Sequence, residues 1–577
     1  MILSAVSCSE NKGEQADAGV DAETDADNGW QKKCDYEECR RECIEKGALS
    51  GACNEYDECE CFGGPDSGLD LDTDMDTDSD MDIDTDIDVD TDGDTDSDIE
   101  TEPDIFIARY SSDGTLAWAK RAGGKTRSVG TGIDVTDTGD IMLTGYFHNA
   151  STFGPGESAE TTIHAEGSWD EIFIAGYNPD GTLDWVKAAG GRYDQYTGAI
   201  SAGSNNTAVI AGYFHDRIAF EEGDPDETVF EPDNTFHDAF FAAYTDSGEF
   251  EYAGMITGSH RQYASAVEMH KDGTLYMTGT FEVEGVFGLG EPNETTCYSI
   301  GGDYHPDMFI ARYETDGGLM WAGRAGTTEE DSGNTTGRDI AVLPDGSVLV
   351  TGAFESTTVF GPGEPNETVM PALSEPDPTI FIAKYSAGGD LIWVKSAGGE
   401  DGCTGEGIAA LIDGSFYIAG DYSGTAVFGR GESNETGISS FARGDIYIAR
   451  YNSDGSLEWV RSAGSTEEDY IAAIAIAPDQ DVLVLGCFID TTVFALGQEN
   501  ETSLVAYGGR RDLDTFIARY NSDGTLEWVR QIGGHAHDWA RDIVLFPDGS
   551  FAVTGWFEGT AIFGRNEAQE TELAADH

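Results

Sequence analysis

Basic side chains are scarce. The 577-residue chain carries 31 Lys and Arg against 110 Asp and Glu, a formal net charge of −79. A surface that negative repels phosphate backbones, so it argues against nucleic acid as a partner and favours cations and solubility. Long apolar runs are missing as well. No stretch reaches the roughly 18 apolar residues of a membrane-spanning helix, so the expected membrane link is a lipid anchor. Cysteine is thin outside one place, since six of the ten fall between Cys34 and Cys61. No Ser-His-Asp order and no phosphate-cradling glycine loop stands out. The glycines follow a repeat, so isolated G-x-G matches carry little information.

The chain opens MILSAVSC, a short apolar run ending in small residues before Cys8. It resembles the end of a bacterial lipoprotein signal, with Ala5 where such signals usually have Leu and without a charged n-region. The resemblance implies a signal remnant at 1–7, lipidation at Cys8 and a polar tether over 8–33.

The segment 34–61 has the spacing C-x4-C-x3-C-x9-C-x5-C-x-C. Six cysteines in so short a span imply a disulfide framework and an oxidising compartment, which weighs against a zinc site. The C-x3-C places Cys39 and Cys43 one turn apart on a helix, and the C-x-C places Cys59 and Cys61 on one face of a strand. Sequence alone permits about 15 connectivities. The segment resembles the cysteine-stabilised αβ framework of defensin-like peptides, including Gly51-x-Cys53. That resemblance implies the pairs Cys34–Cys53, Cys39–Cys59 and Cys43–Cys61. Nine acidic residues against Arg40, Arg41 and Lys46 point to a small stalk or binding module rather than membrane killing.

Residues 62–103 are an acidic linker, with aspartate at every even position from Asp70 to Asp98. One strand face carrying only like charges would repel itself, so the tract is expected to be extended and disordered. DVDTDG at 88–93 resembles the start of an EF-hand loop, but Ile99 stands where its final Glu belongs.

From Asp104 the chain repeats itself. RYNSDGSLEWVR at 450–461 returns as RYNSDGTLEWVR at 519–530. The tyrosine of this motif recurs at Tyr110, Tyr177, Tyr244, Tyr313, Tyr385, Tyr451 and Tyr520, spaced by 66–72 residues. Eight residues after each stands Trp118, Trp185, Tyr252, Trp321, Trp393, Trp459 or Trp528. A second register puts a Phe eight residues after Gly145, Gly212, Gly279, Gly352, Gly420, Gly486 and Gly555. Glu-Thr follows seven residues after each Phe, at Glu160, Glu227, Glu294, Glu367, Glu435, Glu501 and Glu570. Each copy reads as two hairpins, IFIARY–turn–TLEWVR and a second one around D-x-G. Four-stranded units repeated seven times predict an all-β fold, a seven-bladed β-propeller over 104–577. The repeated aromatics are expected to pack blade on blade.

The pattern D-x-F-I-A-R-Y-x-x-D-G-x-L-x-W…G-G…T-G-x-F resembles the bacterial SBBP-type propeller repeat. That family is typically secreted or cell-surface, and no activity is shared across it. The chain ends where an eighth IFIARY would begin. Residues 104–122 are therefore expected to complete the blade opened by 540–557, closing the ring and hiding two sheet edges.

The repeats exceed a minimal blade of roughly 40–45 residues. The excess, FGPGEPNET and its variants, is expected to form an arm on one face, beside the loops that follow each Trp strand. Its seven glutamates are either turn residues satisfying backbone groups or a rim that binds Ca2+ or carbohydrate. The loops KTRSV, RYDQY, SHRQY, TTEEDSGN, EDGC, STEEDY and HAHDW vary most, and recognition usually lives in such loops. These features together predict a monomeric, non-catalytic surface protein, an outer-membrane lipoprotein or secreted, that binds a protein or glycan. A glycan lyase or hydrolase with its site at the central channel is the alternative, and a structural envelope component a third.

Overall fold

A computed structural model describes residues 102–576 apart from 204–205, 224, 226, 233–235, 302–303, 329–332, 400, 442–443 and 509–511, and two strands nearer the N-terminus. The chain divides into two compact units, Met1–Ser97 and Asp98–His577. In the first, Ser50–Cys53 and Cys59–Phe62 pair antiparallel with Cys53 opposite Cys59 and Gly51 opposite Cys61. The C-x-C segment thus lies on a strand, as its spacing predicts. Cys8, Cys34, Cys39, Cys43, the tether and the acidic tract lie outside the described residues.

The second unit is a β-propeller of seven four-stranded blades, with no helix among the described residues. Blade 1 runs outward through Ser128–Val135, Ile141–His148, Asp170–Tyr177 and Leu183–Ala189. The innermost strands of blades 2 to 7 are Gln195–Ala202, Gln262–Met269, Thr335–Val342, Gly407–Ala410, Asp469–Ile476 and Asp538–Leu545, and each packs beside the next around a central channel.

The IFIARY strands are apolar on both faces because a neighbouring blade covers each face. In Asp104–Tyr110 only Arg109 is partly exposed. The apolar core accordingly falls into seven clusters, one at each blade junction. The junction of blades 7 and 1, for example, joins Ile105 and Ile107 to Phe147, Phe153 and Phe173. Each such side chain contributes about 1.5–3 kcal/mol by leaving water.

The repeated dozen residues join one blade to the next. The Arg109 guanidinium donates to the Pro179 carbonyl at 2.7 Å, Arg450 to Ser522 at 2.7 Å and Arg519 to Ser112 at 2.7 Å, each in the following blade's turn. The aromatic lies against that turn's glycine: Trp118 on Gly181, Trp185 on Gly248, Tyr252 on Gly317, Trp321 on Gly389, Trp393 on Gly455, Trp459 on Gly524 and Trp528 on Gly114. Gly181 has φ +81°, and a Cβ there would stand 2.9 Å from the Trp118 ring, so the position demands glycine twice over. In all seven copies this aromatic ring lies against the neighbouring blade's turn.

Each copy also contains a two-stranded arm between its second and third strands, from Ala150–Phe153 with Thr161–His164 to Thr560–Phe563 with Thr571–Ala574. The arm bonds to the end of the preceding blade's outermost strand, as in Gly123↔Thr152 and Ala325↔Phe360.

The ring closes as the repeat phase predicts. Asp104–Tyr110 pairs with Phe551–Phe557, and Thr554 Oγ1 donates to the Phe106 carbonyl at 2.9 Å. The Asp576 amide adds a bond to Asp104 Oδ2 at 3.0 Å.

Candidate functional site on the arm face and channel

The arms and the loops that enter each innermost strand share one face. There the His148 amide donates to the Arg127 carbonyl, His215 to Asp194 and Glu282 to Arg261. The structure places the seven Glu-Thr glutamates one per arm. Glu160, Glu227, Glu294, Glu367, Glu435, Glu501 and Glu570 each accept a backbone N–H of their own turn, at 2.5–3.2 Å. The following threonine turns back on the same loop, as Thr295 does onto the Asn293 carbonyl. Among the described residues no three His, Cys, Asp or Glu side chains converge at metal-binding distance.

The glutamate three residues earlier, which the sequence reading passed over, ties the arm to its own blade. Glu157, Glu291, Glu364, Glu432 and Glu567 accept the first N–H of the outermost strand at Leu183, Leu319, Leu391, Leu457 and Leu116, at 2.5–2.8 Å. Lys120 and Lys395 of the preceding blade add ion pairs to Glu157 and Glu432 at 2.7 and 3.0 Å.

In the channel, each junction has a side chain that accepts an N–H of the next innermost strand. The pairs are Asp134 to Ala202, Ser201 to Met269, Glu268 to Val342, Asp339 to Ile408, Asp421 to Ile471, Cys487 to Ala540 and Asp542 to Ile133, at 2.6–3.3 Å. Burial pushes Asp134 and Asp339 up to about 6, and burial together with repulsion from those two carboxylates pushes Glu268 and Asp542 up to about 8. Burial, with Glu406 close by, holds Asp421 well above the ordinary carboxylate range. Cys487 is a buried thiol, as are Cys297 and Cys403.

Six of the seven innermost strands skip one residue of register against the second strand, a β-bulge. The skipped residues are Thr131, Gly198, Ser265, Arg338, Ala472 and Arg541. A bulge re-aims its side chain, and the bulge residues differ from blade to blade. Arg338 reaches Glu406 at 3.9 Å, and Arg541 lies over the Trp539 ring at 5.3 Å.

The least repeated feature is an arc of rings on the arm face of blades 1 to 3. Near the channel, ring centroids follow at 4.8, 5.3 and 4.7 Å through Tyr146, Tyr196, Tyr213 and Tyr263. Farther out, Trp169, Tyr193, His215 and His237 follow at 5.4, 4.8 and 5.2 Å. Phe236, His260 and Tyr304 continue beside them at 4.8 and 5.0 Å. Tyr263 Oη and His237 Nδ1 stand 3.2 Å apart, joining the rows. Trp169, Tyr193 and Tyr304 are 43, 39 and 68% exposed. The inner-row pairing Tyr196↔Tyr213 becomes Thr336↔Ala353 on blade 4, and Thr404 meets Asp421 on blade 5. A second group, Tyr470, Trp539 and Trp556, stacks at 5.7 and 6.2 Å on blades 6 and 7. The variable loops RYDQY and SHRQY supply Tyr193, Tyr196, His260 and Tyr263. In HAHDW, His535 and His537 are exposed, whereas Asp538 is buried and accepts the Gly534 amide at 2.7 Å.

No family model matches the chain. By sequence it is similar to an uncharacterized WD repeat-containing protein, L264, of Acanthamoeba polyphaga mimivirus, 20% identical over 513 residues, covering 78% of this chain and 37% of that protein. It is also similar to the regulatory protein FlaEY of Caulobacter vibrioides, 26% identical over 211 residues, covering 37% of this chain and 21% of that protein. The chain thus spans well under half the length of these relatives. Among solved structures, Sqt1 from Chaetomium thermophilum aligns over 74% of this chain and 96% of its own, with TM-score 0.35 and 10% identity.

Proposed function

We propose that the protein is a non-catalytic binding protein whose arm face captures a protein or glycan. In this reading a lipid at Cys8 and the acidic segments hold the propeller at the outer surface of a bacterial envelope. A rigid ring that presents unlike loops on one face is an interaction scaffold. The observation that carries the reading is the aromatic arc, because it gathers rings from three blades, three of them exposed, on the face where the variable loops lie. The channel carboxylates that a hydrolase would need already accept N–H groups of the neighbouring blade, which weighs toward binding over catalysis.

The test immobilises the full chain and passes over it cell-envelope extract, with and without protease digestion. A triple variant, Trp169→Ser with Tyr193→Ser and Tyr304→Ser, is compared with Ile392→Ser/Ile412→Ser on strand and turn positions outside the arc. Retention that falls at least tenfold only in the arc variant supports the reading. Equal retention by all three proteins overturns it.

A further inference from the structure

Resting on that binding role, we propose that the arc is a site for an extended neutral glycan, a chain of uncharged sugar rings laid across blades 1 to 3.

The chemistry of the patch is amphipathic at the scale of a sugar. A pyranose has apolar C–H faces and a rim of hydroxyls. The arc offers π faces at Trp169, Tyr193 and Tyr304, and between them polar edges from tyrosine hydroxyls and imidazoles. Among those edges, His260 Nδ1 lies 3.2 Å from Ser259 Oγ. The rings are braced by one another, so little side-chain freedom remains to be lost when a ligand arrives.

The occupant is narrowed by what lies elsewhere. Exposed aliphatic side chains, of the kind that accompany aromatics in a protein interface, sit on other elements. Leu289 and Leu496 are at arm tips, Val229, Val369 and Val505 on arm strands, Ile392 on an outermost strand and Ile412 in a turn. The net charge of −79 repels uronate chains, sulfated glycans and nucleic acid. The arc also has an end: on blades 4 and 5 the inner row gives way to Thr336, Ala353, Thr404 and Asp421. Several platforms in series, followed by an end, suit a chain of several sugars rather than a monosaccharide.

The test is titration calorimetry of the full chain with hexasaccharides of β-1,4-glucose, β-1,4-xylose, β-1,4-mannose, β-1,4-N-acetylglucosamine and α-1,4-glucose, with hexagalacturonate as the anionic probe. At least one neutral hexaose is expected to bind with Kd of about 1 mM or tighter. Its affinity should rise from the disaccharide to the hexaose and fall at least tenfold in Trp169→Ala, with unchanged affinity in Ile412→Ala. Hexagalacturonate should not bind. Binding by none of the neutral chains, binding untouched by Trp169→Ala, or preference for the anionic chain overturns the proposal. If the arc variant loses retention of a protease-sensitive partner while no sugar binds, the glycan assignment fails and the binding role stands. If neither partner nor sugar depends on the arc, both fail.

Discussion

The rim of the ring and the mouth of its channel are built from the same seven copies by opposite rules. At the rim the copies share one joint: an aromatic ring packs on the next blade's turn glycine in all seven, an arginine reaches that turn at Arg109, Arg312, Arg450 and Arg519, and a glutamate holds the arm in five. At the mouth the copies differ, and equivalent positions carry Tyr196, Thr336 or Trp539. The comparison separates two roles within one repeat. The ring-on-glycine joint between blades is kept in all seven copies, whereas mouth positions, backed by that frame, differ from copy to copy.

The largest effect should come from opening the ring. Deleting 104–122 removes two strands of blade 7 and their whole share of two core clusters. We expect loss of cooperative unfolding by calorimetry; an unchanged melting temperature would show that the ring stands without its closure.

Next comes pH. Burial raises Asp104, Asp134, Asp339, Asp445 and Asp514 to about 6, Glu171 and Asp307 to about 7, and Glu268, Asp469 and Asp542 to about 8. The folded ring keeps these protons where the unfolded chain, titrating near ~4, has released them. Their stabilisation is complete below that value and is lost as pH climbs through 6 to 8. The melting temperature should therefore be higher at pH 5 than at pH 8.5, and the opposite slope would refute protonation of these buried carboxylates in the folded ring.

Single rim joints should cost less. Gly181→Ala meets both a positive φ and the Trp118 ring, and should destabilise by about 2–4 kcal/mol. Gly156→Ala has a similar φ, +80°, but open space around it, and should cost about 1 kcal/mol. Equal losses in denaturant titration would mean the indole contact contributes nothing. Glu160→Ala frees one exposed turn amide and should cost about 0.5 kcal/mol. Adding calcium in place of a chelator is expected to leave the melting temperature nearly unchanged, and a clear rise would place ions on the arms. The smallest effect belongs to the mouth: Trp169→Ser should change stability by less than about 0.5 kcal/mol, because this ring serves the surface and not the frame.

This division also decides what could be read from the sequence. The offset from tyrosine to the next ring and the offset from Phe to Glu-Thr were legible because each keeps its spacing in all seven copies, and the Asp-Gly turn because five copies keep it. Ring closure was legible from the phase of the repeat. The second glutamate of the arm, Glu157 and its counterparts, recurs in five copies and gives way to Asp224 and Gln498 in the others, so its period was less plain than that of Glu-Thr. The channel joints use Asp, Glu, Ser and Cys from different strand positions, so no spacing marks them. The arc was half visible: RYDQY and SHRQY stood out as variable loops, but the meeting of Tyr213 and His237 with them depends on strands from two blades. The position of Tyr196 and Tyr263 also carries Tyr470 and Trp539 in two other copies, so alignment alone does not mark the arc.

The closing hairpin has a consequence in time. Residues joined by the Thr554–Phe106 bond lie 448 positions apart. The strands at 104–122 are made first among those of the ring and wait for their partner until nearly the last has been synthesised. Until then blade 7 does not exist, and blades 1 and 6 each lack a neighbour on one side. Such distant pairing is intrinsically slow and leaves strand edges open to other chains. The order of synthesis thus makes the waiting hairpin the point at which two copies of this protein could exchange strands during folding.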